Sequence, residues 1–524
     1  MVNSYLNYSK ALLNLILSLN KTEKRYFKLY GKRNSSLKFS YEYMILFRVI
    51  TKYKTTENDA IGVYFKNHSA KQLSDLKRNL FTQILNCLKH YNSENDGFKI
   101  NKQIVMAKIL YKKGLYLDAL SFLKKIKNKA LNKQNHLAVY EIIDFEKKIE
   151  GRHITRSYSE RSLDLENETK FIREILKSEA DWSDFSLKLY AKFIKKGHLK
   201  NKNEYIEISR FFQENKPKIR TNQNNLFLET LYQYQSYQWF YFITQNFKMG
   251  YKYCLLWIQL FDRFPEFKNS NPEILIKGLH NCLTILFNTS DMIRHDYYYT
   301  KLKKIGELDY LDTNTKMEVF IYLNTAKLNK IFLTGKFSDN KIFLKNLEDQ
   351  LLNLESKIDD YRMMVIWYKM ASIYFTTGEY SNCNKLLNKI INPNQKKLRE
   401  DLQCFARLLN LFLHFELKNN ELLLYNIKST YRFMLSMNQS TKLHEILIDF
   451  FRTSIFKNEE NLKTNFSNLK LKLEDLNNDH FEKRLFLYLD IISWLESKIQ
   501  SKSVEQIIFN KRKNKLASIK MNTI

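Results

Sequence analysis

One spacing recurs four times in this chain, each time built around a glycine. The clearest copy reads Trp367, Met370, Ala371, Tyr374, Gly378, Tyr380, Cys383, Leu387, Ile390 and Pro393, with apolar or small residues alternately three and four apart. That period puts them on one face of each of two helices, and the glycine falls where the chain must turn between them. A helical pair with one apolar face buries it only against neighbours, so the pattern predicts further helices stacked on both sides.

Met106, Ala107, Leu110, Gly114, Tyr116, Ala119, Leu123 and Ile126 repeat the offsets, with Gln103 in place of the early large residue. An aromatic copy runs through Tyr234, Tyr237, Tyr241, Phe247, Gly250, Cys254 and Trp257, with Gly250 in the small position of the second helix, which Pro265 is expected to end. A fourth, weaker copy uses Asn324, Leu328, Ile331, Gly335, Phe337, Asn340 and Leu344. With only 11 glycines and 4 prolines in 524 residues, the chain has too few breakers for a many-turned β architecture.

On Trp367, Ala371, Tyr374, Gly378, Tyr380 and Cys383, on Ala107, Gly114, Tyr116 and Ala119, and on Gly250 and Gly335, the chain resembles the tetratricopeptide-repeat proteins. The resemblance implies an all-α fold, an irregular TPR-like α-solenoid of stacked helical hairpins over residues 96–500. It also implies a concave groove that binds a protein or peptide partner, with no catalytic residue and no cofactor. The segment Leu19 to Phe27 is similar to the opening of helical repeat proteins of Bacteroidota, which carries no activity with it.

Residues 1–95 lack the repeat and are expected to form a small helical bundle or cap. Leu12, Leu15, Ile16 and Leu19 recur at helical spacing, Asn20 with Glu23 resembles a capping box, and Ser69 is a plausible cap for the stripe Leu73, Leu76, Leu80, Ile84 and Leu88. Arg152 to Ser162 reads as a loop. Residues 501–524, with Lys511, Arg512 and Lys513, read as a basic, frayed tail.

The net charge of +31 has two readings. Clustered lysines neutralise phosphates, so nucleic acid is one class of partner; lysines on solvated helix faces of an Asn-, Ile- and Tyr-rich chain are the other. The candidate basic contacts are Lys71, Lys77 and Arg78 in the N-terminal region, Lys124 and Lys125 with Lys127, Lys129 and Lys133 at the end of the first repeat-like unit, and Lys511, Arg512 and Lys513. Five scattered cysteines, Cys87, Cys254, Cys282, Cys383 and Cys404, read as reduced buried thiols, and no run approaches the roughly 20 apolar residues a bilayer span needs. Both observations point to a cytoplasmic protein.

The glycines also exclude chemistry. No two lie close enough for a Walker A loop, a dinucleotide fingerprint or Gly-x-Ser-x-Gly. There is no Cys-x-x-Cys, and His444-Glu445 lacks a second histidine one turn on, so His444 reads as a surface or half-buried helix position. Asp359-Asp360 reads as a solvated helix start, and the aromatic run Tyr232 to Phe242 as core packing in preference to a base-stacking platform. The leading expectation is a non-enzymatic scaffold whose groove takes a partner segment, its positive charge favouring an acidic one. The alternative is a nucleic-acid-binding regulator acting through the basic N-terminal helices.

Overall fold

The computed structural model describes residues 7–33, 38–57, 61–65, 68–92, 96–153, 159–199, 201–220, 226–354, 357–392, 399–436, 442–455, 459–477 and 489–521. Among them every regular element is a helix and no strand is present. The chain divides into two compact units, residues 1–172 and 173–524, so the expected boundary near residue 95 falls inside the first.

In the first unit, α1 (Tyr8–Ser18), α2 (Lys21–Arg33), α3 (Lys38–Tyr53) and α4 (Ala70–Tyr91) share a core of their own, centred on Leu12, Ile16, Phe27, Phe47, Leu80 and Ile84. Two of these helices start where local hydrogen bonding dictates. Glu23 N–H donates to Asn20 Oδ1 at 2.8 Å while Asn20 N–H donates to Glu23 Oε2 at 2.9 Å. Ser69 and Gln72 make the same reciprocal pair ahead of α4, satisfying two otherwise orphaned donors at each helix start. Then α5 (Asp96–Lys112), α6 (Tyr116–Asn132) and α7 (His136–Glu150) pack in succession, with Ala107 and Ala119 fully buried and Gly114 at φ +81° between α5 and α6.

The long α8 (Ser159–Lys196) begins within the expected loop 152–162 and runs into the second unit; residues 154–158 of that loop lie outside the described residues. There follow α9 (Lys202–Asn215), α10 (Phe227–Ile243), α11 (Phe247–Arg263), α12 (Glu266–Ser270), α13 (Pro272–Asn288), α14 (Met292–Gly306), α15 (Thr313–Thr334), α16 (Lys341–Leu354), α17 (Asp360–Thr376) and α18 (Tyr380–Ile391). The chain continues through α19 (Glu400–Glu416), α20 (Asn420–Ser436), α21 (Lys442–Ser454), α22 (Glu459–Asn477), α23 (Ile491–Gln500) and α24 (Val504–Met521). Residues 478–488 and Pro393 lie outside the described residues.

Partners in the second unit are mostly sequence neighbours, α10 with α11, α17 with α18, α19 with α20. A second set of contacts skips one helix: α13 lies on α15, α15 on α17, α17 on α19 and α19 on α21. The apolar core is correspondingly continuous, running from Trp182 to Ile508. At the clearest glycine, Gly378 links α17 to α18 at φ +77°, Ala371 and Cys383 are fully buried, and Glu379 N–H donates back to Tyr374 O at 2.8 Å. The aromatic copy carries its glycine in the second helix. Gly250 sits inside α11 against Ile285, and the turn before that helix is made by Gln245 at φ +58°. The supposed basic tail is also ordered: Lys511, Arg512 and Lys513 lie within α24, which packs on α23 and α15.

Candidate functional site

The alternate helices α10, α13, α15, α17 and α19 place side chains around one cavity of about 120 Å³ in the second unit. The wall carries four cations, Lys277 from α13, Arg362 and Lys369 from α17, and Arg399 just ahead of α19, and no carboxylate among the described residues. Tyr190, Tyr322 and Tyr361 supply aromatic surface, and Gln238 and Asn281 supply amides, with Asn281 Nδ2 donating to Gln238 Oε1 at 3.2 Å.

Each guanidinium is held from behind by acids outside the wall. Arg362 Nη2 donates to Glu318 Oε1 at 3.0 Å, and its Nε lies 3.3 Å from Asp359, the residue whose side chain also caps α17 by accepting from Arg362 N–H. Arg399 makes a two-pronged pair with Asp401, while its Nη1 donates to Tyr361 OH at 3.1 Å. Such pairing fixes the plane of a guanidinium and leaves its remaining N–H groups pointed in a chosen direction.

The ammonium groups are held differently. Lys369 is buried and donates to Asn329 Oδ1, with the Phe287 ring 4.8 Å from Nζ. Half-buried Lys277 makes no hydrogen bond or ion pair among the described residues; its Nζ stands 4.9 Å from the centre of the Tyr190 ring. Burial lowers its pKa from the ordinary lysine value, Glu318 opposing the shift and Arg362 adding to it. Burial, reinforced by Arg362, Lys369 and Lys277, pushes His280 down to about 3, so its ring, stacked on Tyr322 with centroids 3.9 Å apart, is neutral near pH 7. Desolvation raises the Tyr190 hydroxyl to about 12, which keeps it a neutral donor.

Segments far apart in sequence meet beside the cavity, at Phe193, His198 and Arg399. The turn after α8 is pinned where Leu199 N–H donates to Ile243 O, at 3.2 Å, and Gln245 Nε2 to Leu199 O, at 3.0 Å. That turn meets Arg399 and Asp401: the Arg399 guanidinium lies 5.5 Å from the Phe193 ring, and Gly197, at φ +80°, leaves room for the Asp401 carboxylate.

None of the candidate basic contacts read from sequence lines this cavity. Lys71, Arg78, Lys124 and Lys125 are exposed, Arg78 pairing with Asp75 at 2.9 Å. Lys77, expected on a basic face, is instead buried and donates to Thr56 O at 2.7 Å. Lys127 is likewise buried, 2.7 Å from both Glu146 and Glu168. Lys511 is tied to Glu496 at 2.8 Å and to Ser493 at 3.0 Å, Arg512 is half-buried and Lys513 exposed. His444, expected at or near the surface, is buried in α21. Within the aromatic run, Trp239 and Phe242 are core, whereas Tyr237 and Tyr241 are half-buried and flank Tyr253 in a stack with centroids 4.7 and 5.6 Å away.

The repeat positions Trp367, Ala371, Tyr374, Tyr380 and Cys383 form packing between helices, and two of the cavity cations, Arg362 and Lys369, stand on the other side of the same α17. Sequence reasoning missed those cations, although a lone lysine inside an apolar run, as in Leu275-Ile276-Lys277 or Tyr368-Lys369-Met370, is a legible oddity. No group of three or more His, Cys, Asp or Glu that could hold a metal ion occurs among the described residues. None of the described helices is long and apolar enough to cross a membrane. Comparisons with protein-family models, with curated proteins and with solved structures gave no match to this chain.

Proposed function

We propose that this protein is a non-enzymatic binding scaffold, built as an irregular TPR-like solenoid, that captures an acidic segment of a partner protein on the inner face of residues 173–524. Contacts between every second helix and the continuous core support stacked helical hairpins as the unit of construction. The observation that carries the function is the cavity wall, with its four cations and no carboxylate among the described residues. Acids behind the wall pair with Arg362 and Arg399, and the positive charge left over is costly to desolvate, so such a wall favours an anionic occupant. Five buried cysteines, none in a disulfide among the described residues, suit a reducing compartment such as the cytoplasm.

The test is titration of the full chain with fluorescent acidic, neutral and lysine-rich peptides, and with single-stranded and duplex nucleic acid, over a range of salt concentrations. The reading expects the acidic peptides to bind and the lysine-rich ones not to, with Arg362→Ala weakening the interaction. Nucleic-acid binding with a steep salt dependence and no peptide binding would replace it with the nucleic-acid regulator.

A further inference from the structure

We infer that the cavity formed by α10, α13, α15, α17 and α19 is a phosphoryl site, receiving the dianionic end of a phosphomonoester between Lys277, Arg362, Lys369 and Arg399. This deepens the reading above and rests on it for the sign of the ligand's charge; what it adds is the class of anion.

Charge comes first. Against the four wall cations stand Glu318, Asp359 and Asp401 from behind. The site keeps an excess of positive charge, which attracts a more highly charged anion more strongly. A phosphomonoester supplies about −1.5 to −2 near neutral pH, a carboxylate or a phosphodiester only one.

Geometry points the same way. The cations arrive from α13, from two positions of α17 that are about two helical turns apart, and from the segment ahead of α19. A carboxylate offers two oxygens in one plane and is best met by a single guanidinium fork, and here Arg399 already spends its fork on Asp401. Several cations converging from separate helices suit an acceptor whose three terminal oxygens point in different directions. The Lys277 ammonium, a point charge with three donors and no hydrogen-bond partner among the described residues, is the kind of group that meets a phosphate rather than a flat carboxylate.

Size is compatible. A volume of about 120 Å³ accommodates several water molecules, or a phosphoryl group with the few atoms that carry it.

The deciding experiment is calorimetric titration of the full chain at low ionic strength with four probes: inorganic phosphate, an acidic peptide carrying one phosphoserine, the same peptide with glutamate in that place, and the unphosphorylated serine peptide. The inference expects the phosphopeptide to bind at least tenfold more tightly than the glutamate peptide, inorganic phosphate to compete with it, and Lys277→Met to weaken both by tenfold or more. Lys277→Met is expected to fold, because it replaces an unpaired ammonium by an apolar chain of similar length; an unchanged circular dichroism spectrum checks this, and Lys124→Met, on an exposed side chain of the first unit, is the matched control. Equal or tighter binding of the glutamate peptide overturns the phosphoryl assignment and leaves the acidic-segment reading standing. Binding of inorganic phosphate without the phosphopeptide upholds the phosphoryl site, assigns it to a small phosphorylated molecule, and overturns the partner-segment reading. Failure of all four probes overturns both, and wild-type phosphate affinity in Lys277→Met overturns the assignment to this cavity.

Discussion

Arg399 and Asp401 share two parallel hydrogen bonds, Nε to Oδ1 at 2.7 Å and Nη2 to Oδ2 at 2.8 Å, with both side chains almost wholly out of water. Arg399 also holds a left-handed backbone, φ +48°, at the position before α19. The ion pair thus ties an unfavourable backbone position to the wall of the cavity. Removing one partner of a buried pair leaves the other charge uncompensated, which costs about 3–5 kcal/mol. Asp401→Asn is therefore expected to lower the unfolding free energy measured in urea by an amount of that order, shifting the midpoint down, with a smaller loss in saturating phosphate. A midpoint equal to wild type would mean that the guanidinium does not depend on this carboxylate.

Two glycines with nearly the same backbone angle should respond differently to a methyl group. Gly378 at φ +77° has nothing within 4 Å of a Cβ, so Gly378→Ala costs only the left-handed conformation, about 1–2 kcal/mol. Gly197 at φ +80° would bring its Cβ to 2.5 Å from Asp401 Oδ2, so Gly197→Ala must also displace the buried ion pair. The second variant should lose clearly more stability and should bind anions more weakly, as read by thermal melting and phosphate titration. Equal melting points for the two variants would show that Asp401 yields without cost.

The contrast between these glycines also explains how far the chain can be read from its sequence. Gly378 was legible because a helix-to-helix turn is a local event, announced by the apolar period on either side; the caps at Asn20 and Ser69 were legible for the same reason. Gln245 was not, because the side chain of a non-glycine residue says nothing of a left-handed φ. The cavity was the least legible part. Lys277, Arg362, Lys369 and Arg399 belong to separate segments, and only the stacking of alternate helices brings them together. Lys77 and Lys127 failed as surface charges for a related reason: a long aliphatic stem reaches from an apolar stripe to a carbonyl at Thr56 or a carboxylate at Glu146.

Glu505 fastens the last described helix to a distant turn. Its carboxylate accepts from Phe337 N–H at 2.9 Å and Ser338 N–H at 2.7 Å, and also from the Ser338 hydroxyl. These bonds satisfy backbone donors that open the short helix Ser338–Asn340, and α24 rests on α15 beside them. Glu505→Ala should cost roughly 1.5–3 kcal/mol, the range for hydrogen bonds to a charged group. It should also speed amide exchange in residues 504–521 while leaving α17 unaffected. Unchanged exchange in α24 would show that its apolar contacts alone hold it.

His280 gives the site a stability that depends on pH. Its pKa is lowered to about 3 in the folded chain, by burial first and then by Arg362, Lys369 and Lys277, against an ordinary value of 6.5. Between those values the unfolded chain binds the proton and the folded chain does not, so the contribution is full above pH 6.5 and falls away as the solution is acidified towards pH 3. One such group changes stability by up to about 1.4 kcal/mol per pH unit in that window. His280→Gln loses the stacking on Tyr322 and should be less stable than wild type at pH 7.5, yet the gap should narrow as both are titrated into acid, because the variant no longer has this ring to protonate on unfolding. Urea midpoints measured from about pH 7.5 to 4.5 test the sign directly. Parallel curves for the two proteins would mean that the ring is already free to take up a proton in the folded state, and that the cationic wall does not exclude positive charge as its geometry requires.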